Sequence, residues 1–200
     1  MFNQILIELK NHFPFTAFGA FTGIIIMISF HNINLPTKVS YTIFYIFHPI
    51  HVFLSALVTS SIYELHKKGK LRLWSLIVIG YVGSVGIATL SDSIMPYAGE
   101  ILLNLPHREI HLGFIEKWWL VNPLAFIGIL VAYFKPTTRF SHAGHVLVST
   151  WASLFHIIMA LGNSLDWFSY VAIFFFLFIS VWIPCCVSDF VFPLLFVKEA

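Results

Sequence analysis

The chain has 200 residues, of which 58% are hydrophobic and only 10% charged, and its formal net charge at pH 7 is +2. Soluble globular domains carry about 25% charged residues, so this composition excludes an ordinary water-soluble domain and indicates a membrane protein. A net charge this small gives no support to nucleic-acid binding, and we expect no nucleic-acid partner.

Six apolar stretches approach or exceed the roughly 20 residues that a helix needs to cross a bilayer. The sequence lacks the alternating pattern of strands, and in lipid only helices or closed barrels satisfy every backbone polar group. We therefore predict an all-α membrane protein with six transmembrane helices, at about 14–31, 42–64, 73–95, 118–134, 143–162 and 168–196. Pro14 interrupts the start of the first stretch and no cleavage pattern follows it, so we expect no cleaved signal peptide.

The distribution of basic residues predicts the orientation. Residues 67–72 contain three lysines and one arginine, the most basic connection in the chain. Positive residues are retained on the cytoplasmic side, which places this connection and both termini in the cytoplasm. The connection 162–167 has no lysine or arginine and falls outside, while Lys38, Arg108 and Lys117 also fall outside and count against this topology.

Two motifs occur twice in the same order. A His-x-x-His-Val-x-x-Ser motif begins at His48 and again at His142, and a Ser-Asp-x-x-x-Pro motif begins at Ser91 and again at Ser188. The offsets are 142 − 48 = 94 and 188 − 91 = 97 residues, so the spacing between the motifs agrees within three residues. Such self-similarity indicates an internal repeat.

The repeat defines the predicted domain organisation. We expect a single integral membrane domain over 1–200, with repeats at about 14–97 and 118–197 joined by a polar interfacial segment at about 98–117. Each repeat holds three predicted helices, and an odd number of crossings inverts the second copy relative to the first. Two inverted three-helix repeats are typical of secondary transporters, whose sites lie near broken helices at the membrane midplane.

The repeated histidines and aspartates form the predicted metal site. Residues three apart share a helix face, so each His-x-x-His can offer two imidazoles to one point. An aspartate in hydrocarbon faces a partner or a cavity, and the proline four residues after each one should disrupt the helix nearby. The predicted ligands are His48, His51, Asp92, His142, His145 and Asp189.

Imidazole and carboxylate suit a divalent metal ion such as zinc, iron, manganese or nickel, and we favour zinc or iron. The same residues are also compatible with a proton relay or a structural hydrogen-bond network.

Other polar residues fit the site less well. His107 and His111 have the i, i+4 spacing of helical metal ligands, but an amphipathic interfacial helix explains them equally. His156 has no matched histidine in the other half and is interpreted as a cross-helix hydrogen-bonding residue. Cys185 and Cys186 are adjacent, correspond to non-ligand residues in the first repeat, and are left out of the predicted site.

Two functions follow from this site. The first is a multi-pass transporter of a divalent metal ion or a small ion-coupled solute, and the alternative is an intramembrane metalloenzyme acting on a lipid-like substrate. A b-type haem protein with axial histidines is a third possibility. The bilayer is the expected partner, and a chain of 200 residues is short for a complete carrier, which makes a homodimer reasonable.

Overall fold

The computed structural model describes residues 2–33, 36–67, 72–136, 139–162 and 166–197, and within these ranges it leaves out the side chains of 2–5, 8 and 139–143. The predicted ligand His142 belongs to the last group. Its backbone lies in a helix, but its side chain falls outside the described residues.

The described residues form helices and no strands, which confirms the predicted all-α class. The helices are α1 (Phe2–Asn32), α2 (Thr37–His66), α3 (Leu73–Leu102), α4 (Gly113–Glu116), α5 (Trp118–Phe134), α6 (Arg139–Ala160) and α7 (Trp167–Leu194). Four of them, α1, α2, α3 and α7, are long and apolar enough to cross a membrane. Helix α5 and the apolar part of α6, Gly144–Ala160, are shorter, at 10–17 residues.

The surface of the bundle is apolar and its interior is rich in polar side chains. Phe18, Phe21 and Phe175 are 59%, 61% and 58% exposed, whereas His48 and Asp92 are fully buried. In water this arrangement would be unfavourable, because apolar side chains avoid water and polar groups favour it. In lipid it is favourable, because apolar side chains face the solvent while polar groups find partners inside.

Helix α2 is central and packs against α3, α5 and α6, while α1 packs against α6 and α7. Gly128 allows α5 to approach α2 closely, because a Cβ there would lie 2.5 Å from the carbonyl oxygen of Phe53 and 2.9 Å from the Cβ of Ala56. Small residues at such crossings are the usual way in which membrane helices make close backbone contact.

Both Ser-Asp-x-x-x-Pro motifs lie in π-helical turns, Leu90–Ile94 in α3 and Val187–Val191 in α7. Proline has no N–H group, so Pro96 and Pro193 cannot donate to the carbonyls four residues earlier. The backbone widens at these places into the i→i+5 pattern of a π turn. The expected disruption therefore takes the form of a local widening, and each helix continues past its aspartate.

The helices differ in extent from the sequence-based expectations in two places. Helix α1 begins near Phe2 with Pro14 in its interior, so it reaches well before the predicted start of the first crossing. His107 and His111 do not share a helix, because residues 105–112 form turns and irregular backbone. Asn104, at φ 52°, ends the preceding helix in the left-handed region that commonly terminates helices, and proline at the second following position cannot continue one.

Candidate metal centre

The first predicted cluster is centred on the Asp92 carboxylate. His48 Nδ1 and His51 Nδ1 lie 2.9 and 2.7 Å from Asp92 Oδ2. Because a carboxylate only accepts hydrogen bonds, both Nδ1 atoms carry the proton and donate. The three-residue spacing on α2 thus brings both rings to one atom, as the sequence predicts.

Two hydroxyl groups occupy the other oxygen of this carboxylate. Ser91 Oγ donates to Asp92 Oδ1 at 2.7 Å, and Ser149 Oγ donates to the same atom at 2.8 Å. With the two imidazoles, these donors account for the roughly four acceptor sites of a carboxylate. Asp92 is therefore placed to orient histidines rather than to bind a metal directly, and its hold on Nδ1 leaves Nε2 as the available ligand atom.

A second group forms around Asp189. Its Oδ2 lies 3.0 Å from His145 Nε2 and 3.5 Å from His12 Nε2. The three residues come from α6, α1 and α7, are at most 1% exposed, and offer ligand atoms that lie within 4.8 Å of one another. This group could hold a metal ion.

A third group adjoins the second and shares His145. His51, His145 and Cys185 again offer ligand atoms within 4.8 Å of one another. The rings of His51 and His145, which hold the same position in the two His-x-x-His motifs, stack with centroids 5.7 Å apart, and Cys185 Sγ lies 4.0 Å from His51 Nε2. His51, His145 and Asp189 of the predicted set therefore meet in one buried region, while the side chain of His142 lies outside the described residues.

The halves also contact each other crosswise through hydroxyl groups. Ser153 Oγ on α6 donates to the carbonyl of Ser91 at 2.9 Å, and Thr59 Oγ1 on α2 donates to the carbonyl of Ser188 at 3.2 Å. The two donors are separated by 153 − 59 = 94 residues, the offset of the two His-x-x-His motifs. Each helix that carries a His-x-x-His motif thus donates a hydroxyl hydrogen bond to the serine carbonyl of the Ser-Asp motif in the other half of the chain.

No family model, curated protein or solved structure matches this chain. The chemistry of the two ligand groups is therefore the guide to what they bind. Imidazole, carboxylate and thiolate together are ligands of transition metals such as zinc or iron, whereas magnesium and calcium prefer oxygen alone. Both groups fit a transition-metal ion.

A polar cavity of about 410 Å³ lies at one end of the bundle. It is formed by the C-terminal ends of α3 and α6, the N-terminal end of α2, the irregular segment after α3 and the end of α4. Its ionisable lining residues are Glu100, His107, Glu109, His111, Glu116 and His156.

Two of the histidines in this cavity are held by carboxylates. His156 Nδ1 lies 2.7 Å from Glu100 Oε1, which agrees with the cross-helix role predicted for His156. His111 Nδ1 lies 3.3 Å from Glu116 Oε2, which also accepts a hydrogen bond of 2.6 Å from the Tyr45 hydroxyl. Partial burial raises the pKa of the Glu116 carboxyl, but the contacts with Tyr45 and His111 outweigh this effect and hold the pKa below its usual value.

Phe44 separates the cavity from the buried groups. Its ring stacks on His48 at a centroid distance of 5.2 Å and meets His156 edge-on at 5.5 Å. Gly113 packs against the edge of the His48 ring, because a Cβ there would lie 2.6 Å from His48 Nε2. Phe44 thus lies between His156 of the cavity lining and His48 of the cluster at Asp92.

Two residues of the ligand groups are absent from the set predicted from sequence. His12 has no partner in the repeat, and its helix was expected to begin only after it. Cys185 was left out because the equivalent residue in the first half is Ala88.

Proposed function

We propose that the chain is a membrane transporter of a divalent transition-metal ion. The ion binds at two adjoining positions, one formed by His12, His145 and Asp189 and the other by His51, His145 and Cys185. The observation that carries this proposal is the shared histidine. An ion can move from one group to the other while it remains bound to His145, so the geometry suits passage as well as binding.

The proposed topology has six crossings built as two inverted three-helix repeats, with both termini in the cytoplasm. Helix α5 and the apolar part of α6 supply the two crossings beyond the four long helices. Matched π turns at Asp92 and Asp189 and the crosswise hydroxyl contacts support the repeat. In this orientation the cavity opens on the outer side, because it lies at the opposite end of α2 from the basic connection 67–72.

Burial favours transport over catalysis on a lipid-like substrate. His12, His51, His145, Cys185 and Asp189 are each at most 1% exposed. A dehydrated metal ion fits among these side chains, whereas a lipid chain could reach them only if the packed helices separated. Cys185 also favours zinc or iron over harder cations, because thiolate is a soft ligand.

Uptake of Zn²⁺ into sealed liposomes tests the proposal. We expect wild-type protein to accumulate Zn²⁺ inside the vesicles, read by an encapsulated fluorescent indicator, and Asp189→Asn to reduce the rate at least tenfold because it removes a charged ligand. Asp166→Asn is the matched control, since Asp166 is an exposed helix cap that contacts Ser169. Metal bound by the purified protein without uptake above empty liposomes would contradict transport and favour the metalloenzyme.

The two adjacent cysteines provide a test of direct ligation. We expect Co²⁺-loaded wild-type protein to show thiolate-to-cobalt charge-transfer absorption in the near ultraviolet, because Cys185 Sγ lies in a ligand group. Cys185→Ser removes this band, and Cys186→Ser retains it, although both cysteines are buried. A band that survives Cys185→Ser would show that Cys185 is not the sulfur ligand.

A further inference from the structure

In the cavity at the end of the bundle, histidines contact glutamate carboxylates through Nδ1, as His48 and His51 contact Asp92. His156 and His111 each place Nδ1 on a carboxylate, that of Glu100 and that of Glu116. A carboxylate at Nδ1 fixes the ring and leaves Nε2 as the metal-binding atom, which is the usual environment of histidine ligands.

The buried histidine of the pair has an unused ligand atom. His156 is fully buried, lines the cavity, and its Nε2 has no hydrogen-bond partner among the described residues. A buried imidazole nitrogen without a partner is unfavourable unless another group occupies it. The rings of His111 and His156 have centroids 5.3 Å apart, and both residues line the cavity.

We infer that this cavity is a second metal site, at which His111 and His156 bind a divalent transition-metal ion that keeps part of its water shell. Water completes the coordination because the cavity, about 410 Å³, has room for several molecules at about 30 Å³ each. Glu100, Glu109 and Glu116 supply negative charge around the ion. The buried groups, in contrast, would bind a dehydrated ion.

The position of the cavity assigns it a role in loading. It is separated from His48 by the ring of Phe44, which contacts both His48 and His156. An ion captured in the cavity loses its remaining water as it passes this ring. This loading role rests on the proposed transport function, whereas metal binding in the cavity does not.

Metal counting in a chain that lacks the buried site tests the inference. Co²⁺ is the probe, and bound metal is measured by elemental analysis after equilibrium dialysis of the purified protein. In the His145→Ala background we expect about one Co²⁺ per chain to remain. Adding His111→Gln weakens this binding at least about tenfold, as does His156→Gln, because each removes one imidazole. His66→Gln, which changes a histidine bonded to its own helix at Ile62, leaves it unchanged.

The outcomes separate this inference from the proposed function. Residual Co²⁺ that is lost in both glutamine variants supports the cavity site even if liposome uptake fails. No residual Co²⁺ in His145→Ala, or residual Co²⁺ that survives both glutamine changes, overturns it even if uptake succeeds. His111 is buried, at 7% exposure, but lies on irregular backbone rather than inside a packed helix, so its substitution reports on the site even if His156→Gln fails to fold.

For the loading role, wild-type protein and His111→Gln are compared in Zn²⁺ uptake. We expect His111→Gln to raise the Zn²⁺ concentration for half-maximal uptake at least about tenfold and to leave the maximal rate within twofold. An unchanged half-maximal concentration would overturn the loading role while leaving the cavity site intact.

Discussion

His145→Ala is expected to abolish high-affinity metal binding at the buried site. His145 is the one residue common to both ligand groups, so its loss leaves two ligands in each. We expect the affinity for Zn²⁺ to fall at least a hundredfold, which corresponds to about 2.7 kcal/mol. Competition against a chromophoric zinc indicator measures the affinity, and Zn²⁺ uptake into liposomes should be lost in parallel.

The shared position of His145 is tested by single changes in its neighbours. His12→Ala removes a ligand from one group and Cys185→Ser removes one from the other, so each leaves one complete group. We expect both to weaken Zn²⁺ binding less than His145→Ala does, and His66→Ala to have no effect. If either change costs as much as His145→Ala, the ion uses one group only and the proposed passage between groups is wrong.

Asp92→Asn is expected to weaken metal binding and to destabilise the bundle, although Asp92 is not placed as a ligand. Four donors converge on its two oxygens, and an amide can accept at only one of its two polar atoms. The histidines of α2 would lose their common acceptor and their fixed orientation. We expect 10- to 100-fold weaker Zn²⁺ binding, as for other residues that hold metal ligands.

The stability effect of Asp92→Asn is measured by thermal unfolding in detergent without metal. Asparagine leaves some of these buried donors without an acceptor, and each unsatisfied buried donor costs about 1–3 kcal/mol, so we expect a clear decrease in the unfolding midpoint. Ser149→Ala removes only one of the four donors and should cost about 1 kcal/mol. Wild-type affinity in a folded Asp92→Asn protein would show that the carboxylate does not orient the ligands.

The sequence predicted the site residues that belong to the two repeated motifs, His-x-x-His and Ser-Asp-x-x-x-Pro. Asp92 and Asp189 stand out because each lies in an apolar stretch, follows serine and precedes proline by four residues. These features have direct physical consequences, since the proline removes a backbone donor and the carboxylate needs partners. The three-residue spacing of His48 and His51 likewise determined that both rings reach one atom.

The residues that sequence did not find belong to one half only. The first helices of the two halves share the pattern Ala-Phe-x-Gly-Ile, which begins at Ala20 and again at Ala125. Aligning the helices on this pattern gives an offset of 105 residues, which places Lys117 at the position equivalent to His12. The repeat therefore carried no signal for His12 as a ligand. The repeat likewise gave no signal for Cys185, whose matched residue is Ala88. The site is asymmetric, because Asp92 orients histidines whereas Asp189 lies with histidines in a ligand group.

The residues that line the cavity could not be predicted from the sequence, for a different reason. Its residues come from the ends of α2, α3 and α6 and from irregular backbone between α3 and α4. No periodic pattern relates such positions, because the turn at Asn104 and the following proline decide where His107 and His111 lie. Only the packed structure shows that His111 and His156 are neighbours.

The contact between α1 and α7 has a consequence for biosynthesis. Trp182 Nε1 donates to the carbonyl of Leu9 at 2.8 Å, and His12 faces Asp189 across the same pair of helices. Both ligand groups include a residue of α7, Asp189 or Cys185, so a nascent chain lacks both until α7 has left the ribosome. The group that contains His12 also requires α7 to join α1 in the bilayer. In a zinc finger the metal drives folding, whereas the metal site proposed here would form only after the helices have assembled.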